Sequence, residues 1–305
     1  MVSIIIINFN TAQLTIQAIE SIEKQVLSIE KHEVIVVDNA SRNDDFENLK
    51  SGISSFSKAR IKLIRSRINV GFGAGNMIGV QAASGDFYAF MNSDVLLTDD
   101  SISKIVSFLD QNPDASMAGC QAVDENGKKY KAFDYSLSLA SELLSHSFLN
   151  KINPGKFPSR MRTANAPLNV GAVPGSLFVS RADDFDAVGG FDTNIFLYFE
   201  EKDLAYRIKK QLKKNIYSLP DTTYIHLKGK STGASQIIRN EMKISQFYVI
   251  HKNLGALPYF IFYMVNFLIF LVKSPFNNKN RNYLLLLLGG ISVAKSMKHN
   301  QKILS

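Results

Sequence analysis

Val2-Ser3-Ile4-Ile5-Ile6-Ile7, followed at once by Asn8-Phe9-Asn10, sets the fold. A continuous β-branched run of this kind reads as a strand buried on both faces of a sheet. Outward from it, the same strand-then-polar-turn pattern recurs. Glu33-Val34-Ile35-Val36-Val37 ends at Asp38, and Ile61-Lys62-Leu63-Ile64 leads to a glycine-rich turn. Phe87-Tyr88-Ala89-Phe90-Met91 runs into Asn92-Ser93-Asp94. Helical patterns fall between these runs, over residues 11–25, 44–55, 73–83 and 101–111. The alternation predicts an α/β fold whose parallel sheet is covered by helices through right-handed crossovers. Residues 113–235 are less regular, with a loop-rich Asn153-Pro154-Gly155-Lys156-Phe157-Pro158, a strand-like Gly175-Ser176-Leu177-Phe178-Val179 and a helix expected from about Glu200.

The chain has 305 residues, 46% apolar and 20% charged, which are globular values large enough for a sizeable core. One cysteine, Cys120, excludes an intrachain disulfide framework and a cysteine metal cluster, and fits a reducing compartment. No secretory signal is expected, because the N-terminal run lacks a basic lead and turns polar at Asn8. The net charge of +8 is uneven, and from Lys209 onward Asp221 and Glu241 are nearly the only acids. A basic end suits nucleic acid or an anionic membrane surface. Its apolar neighbours favour the membrane and argue against nucleic acid. Residues 254–272 carry no charge, and Tyr283-Leu284-Leu285-Leu286-Leu287-Leu288 follows a Lys273-led polar segment. The first run is just long enough to span a bilayer, although Pro258 and Asn266 weaken it, and the second is too short. A hairpin dipping into one leaflet, or lying in the interface, is expected. The competing reading is a hydrophobic helix packed on the core.

Four strand-end features carry candidate chemistry. Asn8, Phe9 and Asn10 offer amides and a ring to a nucleobase. Asp38, with Asn39, can accept from a base or from ribose hydroxyls; an ordinary turn residue is the alternative. Asn69-Val70-Gly71-Phe72-Gly73-Ala74-Gly75-Asn76 permits close backbone approach to phosphate at a helix start, with no Walker lysine. Asp94 ends the fourth strand and is a candidate ligand for a hard metal ion carrying a diphosphate. The segment alone leaves it equally a helix cap, because Thr98-Asp99-Asp100-Ser101 follows.

In that order these motifs resemble the family 2 glycosyltransferases, most of all their bacterial rhamnosyltransferase-like branch. The resemblance continues through Pro174-Gly175-Ser176-Leu177-Phe178, Gly189-Gly190-Phe191-Asp192 and Tyr198-Phe199-Glu200-Glu201-Lys202-Asp203, and ends near His226-Leu227-Lys228-Gly229-Lys230-Ser231. It implies a GT-A fold, with a Rossmann-like, mostly parallel sheet and helices on both faces, to which the C-terminal sequence adds an apolar helical extension. It also implies inverting transfer from a nucleotide-diphosphate sugar. The implied organisation is a nucleotide-sugar half over residues 1–112, an acceptor and base half over 113–235 and a membrane-associating region over 236–305. The nucleotide sugar would meet Asn8, Phe9, Asn10, Asp38, Asn39, Gly71, Phe72, Asn76 and Asn92. The family's acidic metal motif is reduced here to Asn92-Ser93-Asp94, so Mn²⁺ or Mg²⁺ would rest on Asp94, helped by His226. Glu201 stands at the position of the catalytic base, where the family has Asp, and Asp203 is the fallback. Lys228 and Lys230 would flank the diphosphate as point charges, with plain solvated lysines as the alternative.

The implied activity is transfer of a sugar, with rhamnose as a candidate, to a lipid-linked or polysaccharide acceptor at the cytoplasmic face of the membrane. Two rivals stand beside it. A sugar nucleotidyltransferase would want a basic glycine-rich signature near the N-terminus, which Asn8-Phe9-Asn10 does not offer. A non-catalytic membrane scaffold of the same fold is kept alive by Asn92 and Glu201, the two departures from the family pattern. Oligomeric state is not legible.

Overall fold

The computed structural model describes residues 1–28, 31–57, 59–161, 165–227 and 235–304. In chain order the first half is β1 (Val2–Asn8), α1 (Ala12–Gln25), β2 (His32–Asp38), α2 (Asn43–Ile53), β3 (Arg60–Arg65), α3 (Phe72–Gln81), β4 (Phe87–Asn92), β5 (Val95–Leu97) and α4 (Ser101–Gln111). There follow β6 (Ala115–Val123), α5 (Leu139–Leu143), α6 (His146–Ile152), β7 (Leu168–Asn169), β8 (Leu177–Arg181), α7 (Ala182–Ala187), α8 (Glu200–Arg207) and β9 (Asn215–His226). The chain closes with α9 (Gln236–Leu254), α10 (Ala256–Lys273) and α11 (Asn278–Leu288).

The strands make one sheet in the order β3-β2-β1-β4-β8-β6-β9-β5, with β7 added beside β9. Pairing is parallel from β3 to β4, as the alternating sequence pattern requires. Beyond β4 the sheet becomes mixed. β8 runs antiparallel between β4 and β6, β9 is parallel to β6, and β5 is antiparallel to β9. The antiparallel strands come where the chain leaves the strand–helix alternation: β5 follows β4 directly, and β8 lies in the less regular stretch after β6.

The all-isoleucine stretch of β1 explains the layering. Side chains alternate across a strand, so Ile4 and Ile6 enter one core and Ile5 the other. The first core receives Ile19 and Ile22 of α1, Leu49 of α2 and Ile105 of α4. The second receives Phe185 of α7, Leu204 of α8 and the aromatic cluster of Phe90, Phe178 and Phe191. Phe90 lies 4.9–5.1 Å from three of these rings, in tilted or edge-on geometry.

The C-terminal helices bury a third cluster, in which Phe247 of α9 meets Phe262 of α10, and Phe270 meets Tyr283 of α11. Asn266 is buried here and donates to Phe262 O within its own helix. The opposite face of α10 is open, with Leu257 at 70%, Phe260 at 60% and Leu268 at 55% exposure. The stretch Ala256–Phe276, 21 residues of mean hydropathy 1.8, is long and apolar enough to cross a membrane by length and composition.

Candidate functional site

The ends of β1, β2 and β4 and the turn before α3 meet on one edge of the sheet. Asn8 pairs directly with Asp38 in the strand register. It is fully buried, and its amide nitrogen lies 2.9 Å from Asp38 Oδ1, 3.0 Å from Ser41 Oγ and 3.0 Å from Asp45 Oδ2. Its amide oxygen accepts from Thr11 and Thr15 hydroxyls. An amide so occupied orients its neighbours and has no capacity left for a nucleobase, which corrects the expectation for Asn8. Asn10 adopts a left-handed φ of 56° and accepts from Arg42 N at 2.9 Å. Phe9 alone of the three offers an open ring, 41% exposed. Asp38 is buried and meets Arg65 of the adjacent strand, Nε to Oδ2 at 3.3 Å, which compensates its desolvation.

Asn39 builds the glycine-rich turn. Its amide donates to Asn69 Oδ1 and Gly71 O at 3.0 Å and accepts from Val70 N at 3.0 Å. Gly71 sits at φ 88°, and a Cβ there would lie 2.2 Å from Phe196 O. Phe72 N donates to that same carbonyl at 2.8 Å. The glycine-rich turn is thereby fastened to the chain just ahead of Glu200. Asn76 is buried and donates to Phe72 O at 3.0 Å, closing the first turn of α3 on itself.

Asp94 does not cap a helix. It leads into β5, and the cap of α4 is Asp100, which accepts from Ser103 N at 3.2 Å. Asp94 is fully buried, with Oδ1 3.3 Å from His226 Nε2. The pairing of β5 with β9 sets Val95 opposite His226, and Leu227 N donates to Asp94 O at 2.9 Å. Nearby, Asn92 N donates to Ser176 O at 2.9 Å, while Asn92 Oδ1 is buried without a partner among the described residues. A buried acceptor left open beside a carboxylate and an imidazole fits a polar ligand. Among the described residues no three His, Cys, Asp or Glu side chains converge to hold an ion unaided. The Asp94 and His226 pair suits an ion that takes its remaining ligands from phosphate oxygens, and the nitrogen favours Mn²⁺ over Mg²⁺. Lys228 and Lys230 lie outside the described residues.

Across the site, Tyr198 and Phe199 are both left-handed, at φ 71° and 74°. Such non-glycine residues store about 1–3 kcal/mol each and persist only where their surroundings enforce them. This turn sends the two following acids to different places. Glu200 goes inward, its Cγ 3.3 Å from where a Cβ on Gly73 would stand. Glu201 faces Gly175, whose Cβ would stand 3.4 Å from Glu201 Oε2. Burial raises both carboxyls, and the charge of Glu201 drives Glu200 further up. For Glu201, Asp134 adds to the rise, while Lys131 and Lys202 oppose it. Two such neighbours titrate as a pair, and the deeper burial of Glu200 puts the shared proton there and the charge on Glu201.

Asp203 is not placed to act as a base. It is fully buried, and its oxygens are taken by Arg207 at 2.7 Å, Lys252 at 2.9 Å and Asn253 at 2.7 Å. Sequence reasoning missed Asp134, which pairs with Lys131 at 2.6 Å and with Arg160. Its backbone bonds to Ala172, which carries it to the Gly175 side of the site. No local pattern signals that pairing.

The sequence model of glycosyl transferase family 2 matches residues 3–185, more than half of the chain. The chain belongs to glycosyl transferase family 2. Rhamnosyltransferase WbbL of Escherichia coli is 29% identical over 45% of this chain and 54% of its own length. The N-acetylglucosaminyl-diphospho-decaprenol L-rhamnosyltransferase of Mycobacterium tuberculosis is 28% identical over 57% of this chain and 61% of its own. An uncharacterized glycosyltransferase of Rickettsia bellii is 27% identical over 77% of this chain and 31% of its own. The chain thus spans between 31% and 61% of the length of these curated relatives. Among solved structures, the mannosyltransferase PcManGT from Pyrobaculum calidifontis, in complex with GDP-Man and Mn²⁺, aligns with a TM-score of 0.61 at 15% identity, over 96% of this chain and 76% of its own. TarS 1–349 from S. aureus in complex with UDP aligns with a TM-score of 0.52 at 16% identity, over 83% and 66%. These likenesses are of fold, and the fold is the GT-A fold that the motif order implied.

Proposed function

We propose that this family 2 member transfers a sugar from a nucleoside-diphosphate sugar to a hydroxyl acceptor with inversion, Glu201 serving as base. The observation that carries the reading is the position of Glu201. It is a carboxylate with raised proton affinity beside Gly175, and the adjoining Ser176 bonds to Asn92 at the end of β4. Base and donor edge therefore share one short segment. As the acceptor oxygen bonds to the anomeric carbon, its proton passes to Glu201 and the bond to the diphosphate oxygen breaks. Attack opposite the leaving group inverts the centre. Phe9 and Asp38 receive the nucleoside, with Asn8, Asn10 and Asn39 bracing them, and Gly71, Phe72, Asn76 and Asn92 line the diphosphate side. A divalent ion held by Asp94 and His226, with Mn²⁺ preferred, would neutralise charge on the departing diphosphate.

Rhamnose as the sugar and a lipid-linked glycan as the acceptor are supported by the names of the Escherichia coli and Mycobacterium tuberculosis relatives. The exposed face of α10 supports a membrane location for the acceptor. No acid follows Glu241, and Lys273, Lys279 and Arg281 flank the apolar helices, a charge pattern suited to an anionic cytoplasmic leaflet.

The test is a panel of uridine, guanosine and thymidine diphosphate sugars, screened by thermal shift with Mn²⁺ or Mg²⁺ and then by release of nucleoside diphosphate. A true donor stabilises the protein by mass action. Asp94→Ala and Glu201→Gln should each cut release by about a hundredfold or more; wild-type rates in both would overturn the assignment.

A further inference from the structure

The residues that hold Asp203 lie beyond the stretch matched by the family model and form a clamp. Lys252, in the last turn of α9, reaches Asp192 Oδ2 at 2.7 Å and Asp203 Oδ1 at 2.9 Å. These two carboxylates bracket the segment that contains the left-handed Tyr198-Phe199 turn and Glu201. Asn253 donates to Asp203 Oδ1 at 2.7 Å, and Tyr248 donates to Asp192 Oδ2 at 2.9 Å. Ser245, one turn earlier on the helix, donates to Leu197 O at 2.9 Å, immediately before the strained turn. On the other side Arg207 ties Asp203 to Val188 O and Gly190 O.

We propose that Lys252 and Asn253 form a latch that positions Glu201 by clamping both ends of residues 192–203 onto α9. This rests on the reading of Glu201 as the base. A left-handed pair of aromatic residues relaxes toward ordinary backbone unless both flanks are fixed, and relaxation would swing Glu201 away from Gly175. Lys252 is the one described side chain that pairs with both flanking carboxylates. Its side chain is 27% exposed, whereas Asp203 is fully buried, so the lysine closes the clamp from the solvent side. Because α10 begins at Ala256, the latch also fixes where the apolar helix leaves the catalytic body. Lys252 is a positioning residue, with no contact to substrate assigned to it.

The experiment compares full-length wild type, Lys252→Met and Lys252→Arg. Hydrogen–deuterium exchange reads the latch without any activity. In Lys252→Met, exchange should rise over residues 196–203 and stay at wild-type levels in β1 to β4. Unchanged exchange over 196–203, or a rise throughout the chain, overturns the proposal. Hydrolysis of the nucleotide sugar selected by the donor panel supplies the kinetic arm. There kcat should fall by about tenfold to a hundredfold, the loss expected from a misplaced base, with KM unchanged and Lys252→Arg restoring most of it. A fall in kcat and rise in KM together, or no recovery with Arg, overturns it. Wild type that hydrolyses and transfers nothing would refute the base reading instead, and leave the exchange result to judge the latch.

Discussion

Asn8, Asp38 and Asn39 sit at strand ends and bond to residues one crossover away, whereas Lys252 and Asn253 of α9 brace an acid on α8, as many as 50 residues earlier. The donor edge is self-bracing: its amides and carboxylates occupy one another, and the parallel register alone brings them together. The base segment is braced from outside. Its strained turn precedes a short helix, and α9 and Arg207 hold it in place. A site assembled in this way should respond differently to damage on its two sides, with donor binding and bond formation separable.

The largest effect should come from the proposed base. Glu201→Gln should cut transfer by about a hundredfold to ten-thousandfold, the usual worth of general base catalysis, while calorimetric affinity for the nucleoside diphosphate with Mn²⁺ stays within error. Equal loss of binding would erase the separation between the two sides. In the active protein kcat should fall on acidification through a value above the ordinary carboxylate range. Burial and Asp134 raise the proton affinity of Glu201, so the active, charged form is lost earlier as pH falls. A pH–rate profile with its acidic limb at or below the usual glutamate value would argue against the buried pair.

Gly71 joins the two sides and offers the next test. A Cβ at φ 88° would run into Phe196 O, so Gly71→Ala should destabilise the protein by about 2 kcal/mol or more in urea titrations and weaken donor binding. A neutral result would show that the turn before α3 and the base segment are not mechanically joined. For the outer helices, Phe260→Glu together with Leu268→Glu should reduce sedimentation with anionic vesicles by about tenfold or more while leaving the urea midpoint in place, because both side chains are exposed and each can bury apolar area in lipid. Unchanged sedimentation would remove the membrane from the account of α10.

The meeting of the strand ends on one edge was legible because its information is local. A buried run ending in Asn or Asp at each strand terminus places the residue, and parallel order then places the residues against one another. Asp94 is the instructive case, since the nearby Asp100 takes the capping role that competed for it and frees Asp94 for the β5–β9 junction with His226. The base segment was half legible. Glu200, Glu201 and Asp203 look alike as three acids at a helix start, and nothing in their spacing separates an inward acid, an acid facing Gly175 and an acid locked under Lys252. That distinction comes from the backbone twist at Tyr198-Phe199 and from α9, whose sequence carries no motif that points to Asp203. Asp134 escaped for the same reason: its bridge to Ala172 joins two irregular stretches. The mixed half of the sheet was equally hidden, because its strands pair across long irregular segments with no strand–helix alternation to fix their direction.

The smallest effect tests self-bracing on the donor half away from the site. Glu33 accepts from Ser3 Oγ at 2.6 Å and Ser84 N at 2.7 Å and pairs with Lys62 at 2.7 Å. Burial pushes its carboxyl up, but the Lys62 ammonium and the Ser3 and Ser84 donors outweigh that and bring it down to about 2 from an ordinary 4.5. A depressed folded value means that the stabilisation is fully present above pH 4.5 and is lost as pH falls toward 2. After discounting for the half-exposed lysine, Glu33→Gln should cost about 1–2 kcal/mol at pH 7. The gap to wild type should narrow steadily as urea titrations are repeated at lower pH through that window. A gap that stays constant would mean that shape and hydrogen bonding, rather than the charge, tie β1 to the Ser84 turn.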